Sequence, residues 1–134
     1  MTTHGATEQA KPFGRKDLGA VQLEWSSVGT LALRGKVSDH DPAGLLTAHF
    51  KEVHRVMESN GLDVLNVDVR ELSYVNSSAI RVFIDWVAWI QKGARPYRLC
   101  FVTDRSVTWQ RLSFSALETI AGDVVKVQAS APVR

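Results

Sequence analysis

Leu65-Asn66-Val67-Asp68-Val69-Arg70-Glu71-Leu72-Ser73-Tyr74-Val75-Asn76-Ser77-Ser78-Ala79-Ile80-Arg81-Val82-Phe83 reads as a strand, a short turn and a helix that opens on two serines. Leu65, Val67 and Val69 alternate with Asn66 and Asp68, the period of a half-buried strand. Asn76 or Ser77 then stands as a cap before a strongly apolar segment. Backbone N–H groups in the first turn of a helix lack partners, and the helix dipole is positive there. A phosphate carried by a serine at that position is well accommodated.

The rest of the chain falls into place around this unit. Met1 to Asp17 is polar and reads as a flexible N-terminal tail. Leu18 to Ser26 and Thr30 to Val37 alternate and form a β-hairpin across Ser27-Val28-Gly29. Asp39-His40-Asp41-Pro42 starts a helix that runs from Pro42 to Asn60, with Leu46, Phe50, Val53 and Met57 inward and Gly61 as its stop. Leu62 to Val69 is the central strand, and Ser77 to Lys92 the second helix, ended by Gly93. Tyr97 to Thr103 is a strand. Ser106 to Ala121 is a third helix, with Trp109, Leu112, Ala116 and Ile120 on one side. Val124 to Gln128 is a last strand, followed by a C-terminal tail over residues 129–134. The order β-β-α-β-α-β-α-β predicts one α/β domain over residues 18–128, with a mixed, mostly parallel sheet.

Composition excludes several function classes. The 134 residues fit one domain, and 45% hydrophobic with 22% charged residues is ordinary for a soluble globular chain. A net charge of +2 without a basic stripe argues against a nucleic-acid binder. The single cysteine, Cys100, excludes an internal disulfide and suits a reducing cytoplasm. The N-terminus lacks the apolar core of a secretory signal, and the longest apolar run, Val82 to Ile90, is too short to span a membrane. No phosphate-binding loop, dinucleotide fingerprint or nucleophile elbow occurs. The four histidines, His4, His40, His49 and His54, belong to no metal or catalytic pattern, and His49 and His54 point about 140° apart on one helix. The chain therefore reads as a non-enzyme with no metal and no cofactor.

Two features remain. Asp68 lies late in the central strand, and the carboxyl ends of parallel strands line the functional edge of such sheets. Asp68 is therefore expected near Asn76, Ser77 and Ser78, either tying down the turn or joining them in a site. The second helix is unusual as well. Ile80, Phe83, Ile84, Val87 and Ile90 make a core face, yet Val82, Trp86 and Trp89 lie opposite, beside Arg81, Asp85 and Lys92. Tryptophans on an outer face mark a contact surface for a partner or for a second copy of the chain, unless a neighbouring element covers them.

From Leu18 to Gln128 the chain resembles a STAS domain, the fold of anti-sigma factor antagonists and of the cytoplasmic tails of sulfate transporters. The family's strand resembles Leu65-Asn66-Val67-Asp68-Val69, and its D-S-S-G or D-S-T-G helix opening resembles Asn76-Ser77-Ser78-Ala79. The match is degenerate: Asn76 stands for the Asp, Ala79 for the Gly, and Arg81 for a second small residue. The resemblance implies helices mainly on one side of the sheet. It implies a bacterial, cytoplasmic signalling module in transcription regulation, with Ser77 as phospho-acceptor and Ser78 as the second candidate. Its partner would be an anti-sigma factor that is also a serine kinase, or a larger signalling complex. Asp68, Asn76, Arg81, Val82, Trp86 and Trp89 are the expected contact residues. The alternative is a constitutive adaptor or structural subunit of a multiprotein or transporter-associated complex, with no phospho-switch.

Overall fold

The computed structural model describes residues 14–27, 29–37 and 40–130. The elements in order are β1 (Gly14–Asp17), β2 (Val21–Ser27), β3 (Thr30–Val37), α1 (His40–Asn60), β4 (Val64–Val75), α2 (Ser77–Lys92), β5 (Arg98–Asp104), α3 (Thr108–Ile120) and β6 (Val125–Ser130). They build one six-stranded sheet in the order β1-β2-β3-β4-β5-β6. The first two pairings are antiparallel and the remaining three parallel.

Each crossover advances the chain by one strand in the same direction. Crossovers of one hand that all advance the same way place all their helices on one face. The core lies accordingly between that face and the helices, with Leu23, Trp25, Leu31, Val67 and Phe101 of the sheet against Phe50, Phe83, Trp86 and Phe114. Phe114 stacks on Phe101 at 4.7 Å and meets Phe83 edge-on at 5.3 Å. The opposite face carries half-buried Gln22, Glu24, Arg34 and Asp68, with Asn66 and Lys126 exposed. Among the described residues no helix is long and apolar enough to cross a membrane.

The α/β class and the alternation of helices and strands agree with the sequence reading. Three details differ. Gly14–Asp17, assigned above to the tail, pairs with β2 as an edge strand; its four residues are all exposed and carry no alternation to reveal them. Residues 1–13 and 131–134 lie outside the described residues. The central strand runs to Val75 rather than ending at Val69. Two register shifts conceal the extension: Ala32 and Arg34 of β3 face Asp68 and Glu71, and Gly35 and Lys36 face Leu72 and Tyr74. An extra residue reverses which face the following side chains take, so Leu72 turns inward out of step with Val69.

The third difference is the face of α3. Leu112 and Ile120 are 62% and 71% exposed, whereas Gln110, Phe114 and Leu117 are buried. Two apolar arcs compete on this helix, and the ring contacts of Phe114 decide between them.

Candidate functional site

Asn76 governs the start of α2. Its backbone is extended, and its side-chain Oδ1 accepts from the Ala79 N–H at 2.9 Å. Its own N–H donates to the Val37 carbonyl at 2.8 Å, which ties the helix entry to the end of β3. An asparagine meets the requirement for a capping oxygen, so the helix starts without help from Ser77. Ser77 and Ser78 therefore stand exposed in the first turn. Among the described residues nothing hydrogen-bonds either hydroxyl.

One turn on, Arg81 is 74% exposed and its Nε lies 3.4 Å from the Asp85 carboxylate. Ser77, Arg81 and Asp85 thus follow one another at helical spacing along the outer face, with Ile84 beside them, 37% exposed. An exposed pair of this kind contributes little to stability. It leaves a guanidinium within one turn of Ser77, available to a phosphate.

The tryptophan surface expected on this helix is not there. Val82 and Trp86 are 4% and 0% exposed and belong to the core; Trp86 stacks on Phe50 of α1 at 4.2 Å. The inward arc is Ala79, Val82, Phe83, Trp86, Val87 and Ile90. The core face is broad because α2 lies over the centre of the sheet and against α1. Ile84, read above as core, is the residue displaced outward. Trp89 is half-buried, with the Lys51 ammonium 5.8 Å from its ring centre.

Asp68 is not part of the serine surface either. Because β4 continues to Val75, Asp68 is about 20 Å of extended strand away from the helix start. It lies on the open sheet face, where Arg70 clamps it: the Arg70 backbone N–H and Nε donate to Oδ1 at 3.1 and 3.0 Å, and a terminal guanidinium nitrogen donates to Oδ2 at 2.8 Å. Burial pushes the Asp68 carboxyl up, but the hydrogen bonds from Arg70 outweigh it and leave the pKa below the ordinary carboxylate value. Beside it Arg34 binds Glu71 at 2.9 Å and reaches Glu24 at 3.4 Å. These charges satisfy one another, so the cluster reads as structural.

Gln110 is a residue that sequence reasoning missed. Its Oε1 accepts from the Asp104 N–H at 2.8 Å, and its Nε2 donates to the carbonyls of Leu72 and Arg70 at 2.9 and 3.2 Å. The pairing of β4 with β5 reaches only to Asp68 and Val102, so this side chain stands in for a missing stretch of neighbouring strand. Among the described residues no group of three or more histidine, cysteine or acidic side chains is placed to hold a metal ion.

Comparison with known proteins places this geometry. No protein-family model matches the sequence, and neither does any curated protein. Solved structures do match. A chain of the crystal structure of the diguanylate cyclase SiaD in complex with its activator SiaC, from Pseudomonas aeruginosa, aligns with a TM-score of 0.60 at 20% identity, over 87% of this chain and 98% of that one. SiaC of Pseudomonas aeruginosa aligns with a TM-score of 0.54 at 25% identity, over 82% and 88%. An anti-sigma factor antagonist from Mycobacterium paratuberculosis aligns with a TM-score of 0.51 at 11% identity, over 85% and 81%. The chain has the fold of a STAS-like domain.

Proposed function

We propose that the chain is a non-enzymatic regulatory module that binds a protein partner through the outer face of α2, and that phosphorylation of Ser77 switches this contact. The observation that carries the proposal is the division of labour at the helix start. Asn76 caps, so two serines stand exposed and unengaged where a phosphate meets unpaired N–H groups and a positive dipole end. The contact surface comprises Asn76, Ser77, Ser78, Arg81, Ile84 and Asp85. Similar structures support the partner-binding part: one is an activator seen in complex with a diguanylate cyclase, another an anti-sigma factor antagonist. The partner is a serine kinase of the anti-sigma type or another signalling enzyme.

The phosphate adds roughly −1.5 to −2 charges at neutral pH. A partner fitted to a neutral hydroxyl then meets an anion that must be desolvated, and binding is lost. Ser77→Asp is expected to abolish partner binding and Ser77→Ala to preserve it, read by copurification from the native cells. Mass spectrometry of the same material reads phosphate on Ser77. Unchanged binding by the Asp variant, with Ser77 unmodified under several growth conditions, would favour the constitutive adaptor. Asn76 is the residue that speaks for that second reading, since it gives the helix its cap without the carboxylate of the family motif.

A further inference from the structure

The sheet ends on β6, and among the described residues nothing pairs with the outer edge of that strand. The Val124 and Ser130 carbonyls accept from the N–H groups of Leu99 and, just past β5, Arg105 at 2.8 and 2.9 Å. Backbone groups of successive residues point to opposite sides of a strand. The even-numbered residues of β6 therefore bond to β5, and Val125, Val127 and Ala129 face outward. The Val125 N–H is taken by the Ala121 carbonyl at 2.9 Å. The N–H groups of Val127 and Ala129, with the outward carbonyls, are left as a template for another strand. The Val127 side chain is half-buried and packs on the core from the rim.

The flank of α3 above this edge is self-complementary in charge. The three helices share one direction and one crossover hand, so equivalent positions face the same way. On α1, the residues that follow core positions Phe50, Val53 and Met57 turn toward α2: Lys51 and His54 lie against Trp89, and Glu58 against Gly93. On α2, Gln91 follows Ile90, and its Nε2 donates to Asp123, just past α3, at 3.3 Å. On α3, the residues that follow Gln110, Phe114 and Leu117 are Arg111, Ser115 and Glu118. They face away from α2, over the β6 edge. Arg111 is exposed and Glu118 half-buried, and neither has an ion-pair partner among the described residues.

We infer that β6 pairs with β6 of a second copy of this chain, antiparallel about a two-fold axis at Val127. Both outward N–H groups then find acceptors: Val127 donates to the Val127 carbonyl of the second copy and Ala129 to the Val125 carbonyl, each bond made twice by symmetry. Val127 meets Val127, and Lys126 faces Gln128 rather than a second lysine. The Ala121–Val125 bond ties the end of α3 to the start of β6. The midpoint between Arg111 and Glu118, about 10 Å up the helix, is therefore level with Val127 and Gln128, about 7–10 Å up the strand. The two α3 helices lie about two strand spacings apart, about 10 Å, a packing distance for helices. They run antiparallel, so Arg111 of each stands opposite Glu118 of the other, with the small Ser115 near the axis. The opposite edge, β1, does not offer this: self-pairing there sets Arg15 against Arg15 or Lys16 against Lys16. The inference does not rest on the Ser77 switch, and it is tested on the isolated, unphosphorylated chain.

The test is sedimentation equilibrium of the full chain over a concentration series, which should show a monomer–dimer equilibrium. Ala129→Pro removes one outward N–H from each copy and leaves the bonds to β5 in place, as proline does on an edge strand. It should weaken the dimer about tenfold or more, the loss of two hydrogen bonds, while circular dichroism and the denaturation midpoint of the monomer stay as in the wild type. Arg111→Glu and Glu118→Arg should each weaken association about tenfold at low salt, and the double variant, which exchanges the two charges, should restore it. That restoration distinguishes a facing pair from a general effect of charge, and it does not depend on how the proline variant folds. A chain that stays monomeric at millimolar concentration would overturn the inference and leave the edge to a strand of another protein. A dimer indifferent to Ala129→Pro, or a double variant no stronger than the single ones, would overturn it as well.

Discussion

Gln110 shows how much a single side chain holds at the residue scale. It is fully buried, and its amide satisfies one N–H and two carbonyl groups where β4 outruns β5. Gln110→Leu keeps the volume but leaves those backbone groups without partners, each costing about 1–3 kcal/mol where water cannot replace the bond. The variant is expected to lose about 2–4 kcal/mol in chemical denaturation; a loss below about 1 kcal/mol would mean that water or a strand shift replaces the amide. Nothing in the sequence marks this residue, because glutamine on an amphipathic helix reads as surface. Asn76 and Ser77 were legible, because a capping side chain before an apolar run has a local signature. Trp86 was not. Whether a tryptophan on the shoulder of a helix is covered depends on the neighbouring helix, and Phe50, which covers it, lies far away in sequence.

Elements are specified by period, and they are misread where the period slips. Helix α2 was legible to both ends, since Asn76 and Gly93 bracket it. Strand β4 was legible only to Val69, because its bulges reverse the alternation after that point. The partner side of the same bulged region holds Gly35. Its φ of +100° is one that side chains disfavour, and a Cβ there would stand 2.2 Å from the Ala20 carbonyl oxygen. That carbonyl accepts from the Lys36 N–H at 2.9 Å, which locks the turn between β1 and β2 against β3. Gly35→Ala combines backbone strain of about 1–3 kcal/mol with a clash that only a backbone shift relieves. A loss of about 3 kcal/mol or more is expected, together with faster hydrogen exchange at Lys36. A variant with wild-type exchange at that amide would show that the turn does not depend on this approach.

For the whole molecule, one core beneath one layer of helices makes stability depend on what α1 buries, and α1 buries histidine. The class of fold was legible from alternating strand and helix periods, but not the state of these rings, since a histidine's surroundings come from elements distant in sequence. His49 is 7% exposed, and its Nε2 has no hydrogen-bond partner among the described residues. Burial, with Lys16 adding to it and Glu52 opposing, pushes its pKa down to about 4. His54 is lowered as well, by burial against the opposing pull of Glu58. His49 is neutral in the folded chain at pH 5 and His54 takes up its proton less readily than a free imidazole, whereas an unfolded chain takes up protons on both rings below about 6.5. The unfolded state then binds more protons, so stability is full above about pH 6.5 and falls as the pH drops toward 4. At pH 5 His49 alone accounts for about 2 kcal/mol, since each pH unit between the two pKa values is worth about 1.4 kcal/mol. The loss precedes the protonation of Asp68 and Asp104, whose lowered pKa values postpone their contribution to more acid solution. Denaturation midpoints measured from pH 7.5 to 4.5 should decline over this range in the wild type. His49→Leu removes a ring whose Nε2 lacks a hydrogen-bond partner and should flatten most of the decline, with His54→Gln removing the remainder. A flat wild-type profile, or a decline that survives both substitutions, would place the acid sensitivity in the carboxylates instead.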